Sequence, residues 1–179
     1  MNTGVPQGKL YMEEYNPEWE VNGKQVVDLL KPIIVKAVDI RHVGSTAVKG
    51  MLAKPLIDIA VGMRELEDIM EYVDELEKRD IHYWGEVVPG QREFSIDDPK
   101  TGNRLVHIHV VTYEGPSWVR YRDITDYLNA DEKVRRSYIL LKKALLLRYE
   151  DRPEKYGPAK TVYLDDLEED AILWRKQQQ

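Results

Sequence analysis

The chain has 179 residues, 42% of them hydrophobic and 32% charged, with a formal charge of −6. That length suits one domain with a sizeable core and is short for two, and the apolar share excludes a disordered chain. With no cysteine there is no disulfide framework and no thiolate metal site, and the negative charge disfavours nucleic acid and anionic membrane except at a local basic patch.

Met1–Gly8 lacks the basic start and apolar run of a signal peptide. The longest apolar runs, such as Ala144–Leu147, fall far short of the roughly 20 residues that span a bilayer. These features place the chain in the cytoplasm, with no membrane partner. Asn16-Pro17-Glu18 has the form of a helix start, Asn as N-cap and Pro at the first helical position, and the helix ends or kinks near Pro32. Val38–Val43 reads as a strand running into Gly44-Ser45, and Pro55–Val61 as a second, central strand, apolar nearly throughout. Arg64–Lys78 carries Leu66, Ile69, Met70, Val73 and Leu76 on one face and predicts an amphipathic helix. Gly85–Gly90 reads as a turn or a mobile flap.

Arg92–Ile96 and Arg104–Thr112 predict two strands joined by the turn signal Asp97–Asn103, a hairpin. From Ser117 the pattern is helical, with Val134, Tyr138, Leu141 and Leu145 in one stripe and a final helix over Leu164–Lys176. The whole predicts an α+β fold: a small mixed β-sheet flanked by helices, in one domain over residues 1–179 with a helical part from about residue 116.

Three stretches carry chemistry. A strand ending in Gly44-Ser45-Thr46 and turning into a short helix offers backbone N–H groups and hydroxyls to an anion; the plain alternative is a strand-to-helix turn with Ser45 or Thr46 as N-cap. In Pro55–Val61, alternation puts Ile57, Ile59 and Val61 on one side and Leu56, Asp58 and Ala60 on the other. A lone carboxylate there is costly to bury without a cation, a metal or several donors; the alternative is a structural Asp paired with an Arg. His107 and His109, two apart on a strand, share a face and can converge on one ligand. His82, in a loop-like stretch, reads as incidental.

The block His42-Val43-Gly44-Ser45-Thr46-Ala47-Val48, Gly50-Met51, Ala53-Lys54-Pro55 and Ile57-Asp58-Ile59 resembles the signature of the GrpB family, a branch of the nucleotidyltransferase superfamily. Tyr15–Trp19, the Leu105–Val110 strand, Asp126-Tyr127-Leu128, Leu141-Lys142, Tyr156 and Lys160 extend the resemblance along the chain. It implies a nucleotidyltransferase-like fold in which a Gly-Ser turn holds a triphosphate and acids on two strands hold two magnesium ions. Carried over by residue, Gly44 and Ser45 match the turn and Asp58 the first acid. Ala60 stands where the second acid is expected, and His107 and His109 where the later strand would offer a carboxylate. Mg²⁺ prefers oxygen ligands and imidazole suits Zn²⁺, Mn²⁺ or Fe²⁺. The expectation is therefore one divalent ion (Mg, Mn or Zn) held by Asp58 with His107 or His109.

His42 could add to the site from the neighbouring strand, orient a ligand or belong to the core. Lys54, Arg92, Lys142 and Lys160 are candidate phosphate contacts beside Gly44, Ser45 and Thr46, the alternative for each being a solvated surface charge.

Three functions follow as expectations. The first is metal-dependent transfer of a nucleotidyl group from an NTP to a small molecule or protein, with Asp58, His107 and His109 catalytic. The second is a nucleotide- or phospho-ligand-binding module without turnover, favoured by Ala60. The third is a single-metal hydrolase built on Asp58, His107 and His109. The chain has no Walker-type phosphate loop, no dinucleotide Gly-x-Gly-x-x-Gly and no Gly-x-Ser-x-Gly elbow.

Overall fold

A computed structural model describes residues 10–178; the reading of Met1–Gly8 lies outside them. Five strands, β1 (Ala37–Val43), β2 (Ile57–Met63), β3 (His82–Gly85), β4 (Gln91–Asp97) and β5 (Arg104–Thr112), form one sheet in the order β1-β2-β5-β4-β3. Only β2 and β5 pair in parallel, so the sheet is mixed, and with its flanking helices the fold is α+β.

The helices are α1 (Glu18–Leu30), α2 (Val73–Glu77), α3 (Pro116–Ala130), α4 (Glu132–Arg148) and α5 (Tyr156–Gln177). α1 begins at Glu18 with Pro17 as its N-cap, one residue later than expected, and Asn16 Oδ1 accepts from Glu18 N at 3.0 Å; the helix stops two residues before Pro32. The segment expected as one amphipathic helix over Arg64–Lys78 is instead a 3-10 helix, Leu66–Tyr72, followed by the short α2. Leu66, Ile69 and Tyr72 all pack on the core, and a spacing of three is the 3-10 period; Met70, placed on the apolar face by a 3.6 period, is 44% exposed. β3 takes up residues read as loop, among them His82, whose ring faces Glu77 at 3.3 Å. Gly85–Gly90 is the connection between β3 and β4. α5 begins eight residues before the expected Leu164, with Pro158 in its first turn, where a missing N–H leaves no gap.

One face of the sheet carries Ile57, Ile59, Val61, Val106, Ile108 and Val110, all at most 1% exposed, against Trp19, Val26 and Leu30 of α1 and Ile69 and Leu76. The other face meets α3 through Val43, Ala60, Val111 and Trp118. Behind it α3, α4 and α5 share a second core around Leu128, Tyr138 and Leu167. Among the described residues no helix is long and apolar enough to cross a membrane.

His42 resolves as a strut on the α1 side of β1. Thr46 Oγ1 donates to the Leu56 carbonyl at 3.1 Å and so accepts from His42 Nε2 at 3.0 Å. Burial lowers the His42 pKa to about 4, against the opposing charges of Asp58 and Glu20, and the ring is neutral. Gly23 lets α1 close on this ring, since a Cβ there would stand 2.2 Å from His42 Nδ1. Gly23→Ala gains about 1 kcal/mol of helix propensity but overpacks a tethered ring, at about 1–3 kcal/mol. A 2.2 Å approach puts the cost in the upper part of that range, about 2–3 kcal/mol, so chemical denaturation should show a net loss of about 1–2 kcal/mol, partly restored when His42→Ala is added; an unchanged midpoint would refute the packing assignment.

Candidate functional site

The site begins where β1 ends. Gly44 has φ +74° and ψ −166°, a conformation open to glycine, and a Cβ there would lie 2.9 Å from Asp58 Oδ2. The turn therefore lies directly against the acid. Gly44 N donates to Thr125 Oγ1 of α3 at 3.0 Å, which leaves Ser45 as the forward residue of the turn. Ser45 Oγ accepts from Lys142 Nζ of α4 at 2.6 Å, and the same ammonium donates to the Leu52 carbonyl at 2.7 Å.

Alternation along β2 and β5 brings the acid and both imidazoles to one face: Asp58 is paired in register with His107, and Ala60 with His109. Asp58 Oδ1 lies 3.4 Å from His109 Nε2 and 4.0 Å from His107 Nδ1. The two rings are 4.1 Å apart between centroids, and the outer face of His109 stacks on Tyr121 at 4.8 Å. Tyr121 donates to Gln91 Oε1 at 3.1 Å, which fixes the ring that backs His109. The third strand adds Glu93, whose Oε2 accepts from His107 Nε2 at 2.8 Å.

The electrostatics follow from this packing. Burial by itself would raise the Asp58 carboxyl, but the His109 hydrogen bond and the charges of His109, His107 and Lys160 outweigh it, so its pKa falls below the ordinary carboxylate value. Burial and the neighbouring His109 lower His107, although Asp58 and Glu93 oppose them. Burial, with Lys160 nearby, lowers Lys142 to about 7, and burial likewise lowers Lys160 against the pull of Asp58.

Two cavities meet at this point and share Ser45, Asp58 and Lys160 in their walls. The larger, about 400 Å³, is lined by Lys54, Lys142 and Lys160 together with Tyr156; Lys54 and Lys160 stand 5.9 and 6.0 Å from the Tyr156 ring. The smaller, about 270 Å³, lies among Tyr121, Ile124, Leu128, Tyr138 and Leu164, with His109 in its wall.

Of the residues singled out from the sequence, Gly44, Ser45, Asp58, His107, His109, Lys54, Lys142 and Lys160 all come to this one place. Lys142 is 2% exposed, no solvated surface charge. Thr46 lines the larger cavity, but its hydroxyl is committed to Leu56 and His42. Arg92 does not join the group. It is paired in register with Val110, on the opposite face from the histidines, and its guanidinium is held by Glu67 and Glu86; one step of strand alternation separates it from Glu93. Glu93, Tyr121 and Thr125 belong to the site without having been singled out. A carboxylate beside Phe94 in a half-apolar strand was a legible signal for Glu93, but only the β4–β5 register shows which way it points.

Asp58, His107 and His109 each offer a ligand atom, all within 4.8 Å of one another. With imidazole in two places and Ala60 in a third, the set does not fit two magnesium ions in an all-carboxylate cage, and it fits a single divalent ion.

The chain is similar to known proteins in sequence and in fold. A family model described as GrpB protein matches residues 9–170. The glutamate-rich protein GrpB of Alkalihalophilus pseudofirmus is 32% identical over 168 residues, 92% of this chain and 97% of that one. The crystal structure of GrpB from Enterococcus faecalis superposes with a TM-score of 0.82 at 27% identity, covering 94% of this chain and 100% of that one. A structure of the Cid1 poly(U) polymerase with MgGTP bound gives a TM-score of 0.55 at 12% identity, over 75% of this chain and 44% of that one; this likeness is one of fold.

The depressed Lys142 pKa has a measurable consequence. Unfolded, the lysine holds its proton to about 10.5, and folded only to about 7. Between those values the unfolded chain binds the extra proton, so stability rises with pH, and below pH 7 the fold bears the full burden of the buried charge. Relative to Lys142→Met, the wild-type chain should gain on the order of 1 kcal/mol per pH unit between about pH 7.5 and 9.5 in urea titrations. Parallel curves would show an ordinary lysine.

Proposed function

This chain belongs to the GrpB family, and from that premise we propose that it is a metal-dependent nucleotidyltransferase that moves a nucleotidyl group from an NTP to a small-molecule or protein acceptor. One observation carries the reading: Asp58 stands in the wall shared by both cavities, grouped with His107 and His109 and opening on the cavity lined by Lys54, Lys142 and Lys160. Lys54, Lys142 and Lys160 have no acidic ion-pair partner within 4 Å among the described residues, in a chain of charge −6. Three lysines without an acidic partner, gathered on one cavity of an acidic protein, favour a polyanion that would restore the charge of Lys142 and Lys160.

In this reading Ser45, Lys54, Lys142 and Lys160 hold the triphosphate, and Asp58, His107 and His109 hold a divalent ion. A bound ion of that kind neutralises charge at the transferred phosphorus and orients it. The acceptor oxygen attacks the α-phosphorus, the bond from that phosphorus to the bridging oxygen breaks, pyrophosphate leaves and the acceptor proton passes to solvent. Asp58 is held ionised by its neighbours, as a cation ligand must be. The wall of Tyr121 and Tyr138 beside the acid gives an aromatic lining to the rest of the nucleotide.

Ala60, 1% exposed between Arg41 and His109, supports one alternative, binding without turnover. The deciding experiment combines thermal shift with transfer of an α-labelled NTP. An NTP should raise the melting temperature only with a divalent ion present, by mass action worth about 2.7 kcal/mol at a hundredfold excess over Kd. Asp58→Ala should abolish the ion-dependent part, and Lys160→Met should weaken binding about tenfold or more, as loss of a charged hydrogen bond does. Labelled product with pyrophosphate release establishes transfer, and binding without either favours the alternative. No shift with any of the common NTPs, with Mg²⁺ or Mn²⁺, sinks the proposal.

A further inference from the structure

Glu93 is the site's least expected member. Its side chain is 7% exposed, and among the described residues its ion-pair partner is His107 and no lysine or arginine. A buried carboxylate is retained at considerable cost unless it serves a partner. The service here is orientation. Glu93 Oε2 can only accept, so the His107 proton lies on Nε2, at 2.8 Å. The other ring nitrogen, Nδ1, then carries a lone pair and points at Asp58 Oδ1 across 4.0 Å. Two acceptors facing each other with no proton between them repel, and a cation between them removes the repulsion.

The spacing suits one ion. Ligand atoms at about 2.1 Å from a metal lie roughly 3–4 Å apart, and here the carboxylate oxygen is 3.4 and 4.0 Å from the two nitrogens, all three lying within 4.8 Å. A carboxylate behind a ligating histidine is the usual device that fixes its tautomer and raises its basicity. His109 has no such support: its Nδ1 is buried without a hydrogen-bond partner among the described residues, so its tautomer is not fixed, and the proton that Nε2 directs at Asp58 would pass to Nδ1 on ligation.

We propose that Asp58 Oδ1, His107 Nδ1 and His109 Nε2 form a two-histidine, one-carboxylate face for a single transition-metal ion, of the Mn²⁺, Fe²⁺ or Zn²⁺ class in preference to Mg²⁺, and that Glu93 is the positioning residue that aims His107 at it. Two nitrogens and one oxygen are the donor set such ions take, whereas Mg²⁺ takes oxygen and retains water. The inference rests on the proposed function only for the place of the ion.

Calorimetric titration of the metal-free chain with Zn²⁺, Mn²⁺ and Mg²⁺, with no nucleotide, tests the selection. Zn²⁺ and Mn²⁺ should bind one to one, at least a hundredfold tighter than Mg²⁺, and Asp58→Asn should lose this binding. Glu93→Gln keeps the shape but can donate as well as accept, which frees His107 to adopt the other tautomer; it should weaken the transition ion about 10–100-fold with the circular dichroism unchanged. Nitrogen-detected NMR of the histidine rings reads the tautomer in the unsubstituted, metal-free chain, so an unstable Glu93→Gln does not end the test. A His107 protonated at Nδ1, an undiminished affinity in folded Glu93→Gln, or Mg²⁺ binding as tight as Mn²⁺ overturns the proposal. An NTP response with Mg²⁺ in a chain that takes up no transition ion refutes this inference alone, and a tight transition ion with no NTP response refutes the proposed function alone.

Discussion

The parallel register between β2 and β5 is the constraint on which the rest depends. Ile57, Ile59 and Val61 lie level with Val106, Ile108 and Val110, and each of these side chains is at most 1% exposed. Burying one such side chain contributes about 1.5–3 kcal/mol, while a slip of one residue would send Asp58, His107 and His109 into that hydrocarbon and turn the aliphatic row out. The core thus pays for the site: six aliphatic residues on one face hold an acid and two imidazoles in fixed juxtaposition on the other.

The second layer decides what those groups confront. α3 is tied to the sheet by an ion pair, Arg41 of β1 to Asp126 at 3.0 Å, and α5 is tied to α3 through Arg175, which meets Asp123 at 3.1 Å and Asp126. These bridges pair most of the basic residues near the interface with acids and leave Lys142 and Lys160 facing the carboxylate of Asp58. Burial lowers both lysines, and Asp58 pulls against that shift. A site with a readily ionised acid and partly discharged lysines keeps its polarity until an anion arrives to complete it.

The glycines at the two tight contacts show how close the packing is. Gly44 lets the turn touch Asp58, and Gly23 lets α1 touch His42, whose ring in turn braces Thr46 at the base of the turn. The same turn is therefore held from both faces of the sheet, from α1 through His42 and from α3 through Thr125. This double support accounts for a Thr46 hydroxyl that faces inward, although the Gly-Ser-Thr sequence places it among the residues suited to an anion.

The amino-acid sequence by itself determined the alternation of β2 and β5, the hairpin of β4 and β5 and the helical second half, because burial of one face imposes a period that composition records. It also marked Gly44, Ser45, Asp58, His107 and His109, since each is a polar or small residue at a place where the apolar period admits it at some cost. Helix periods left Arg64–Lys78 mistaken for one α-helix, because a spacing of three and one of 3.6 coincide over a single turn. Only the tertiary structure decided that Glu93 enters the site and Arg92 leaves it, and that Lys142 and Lys160 converge on Ser45 and Asp58 from separate helices. Those outcomes depend on which strand pairs with which and on how α3, α4 and α5 pack, which are contacts between segments far apart in the chain, and local periodicity carries no record of them.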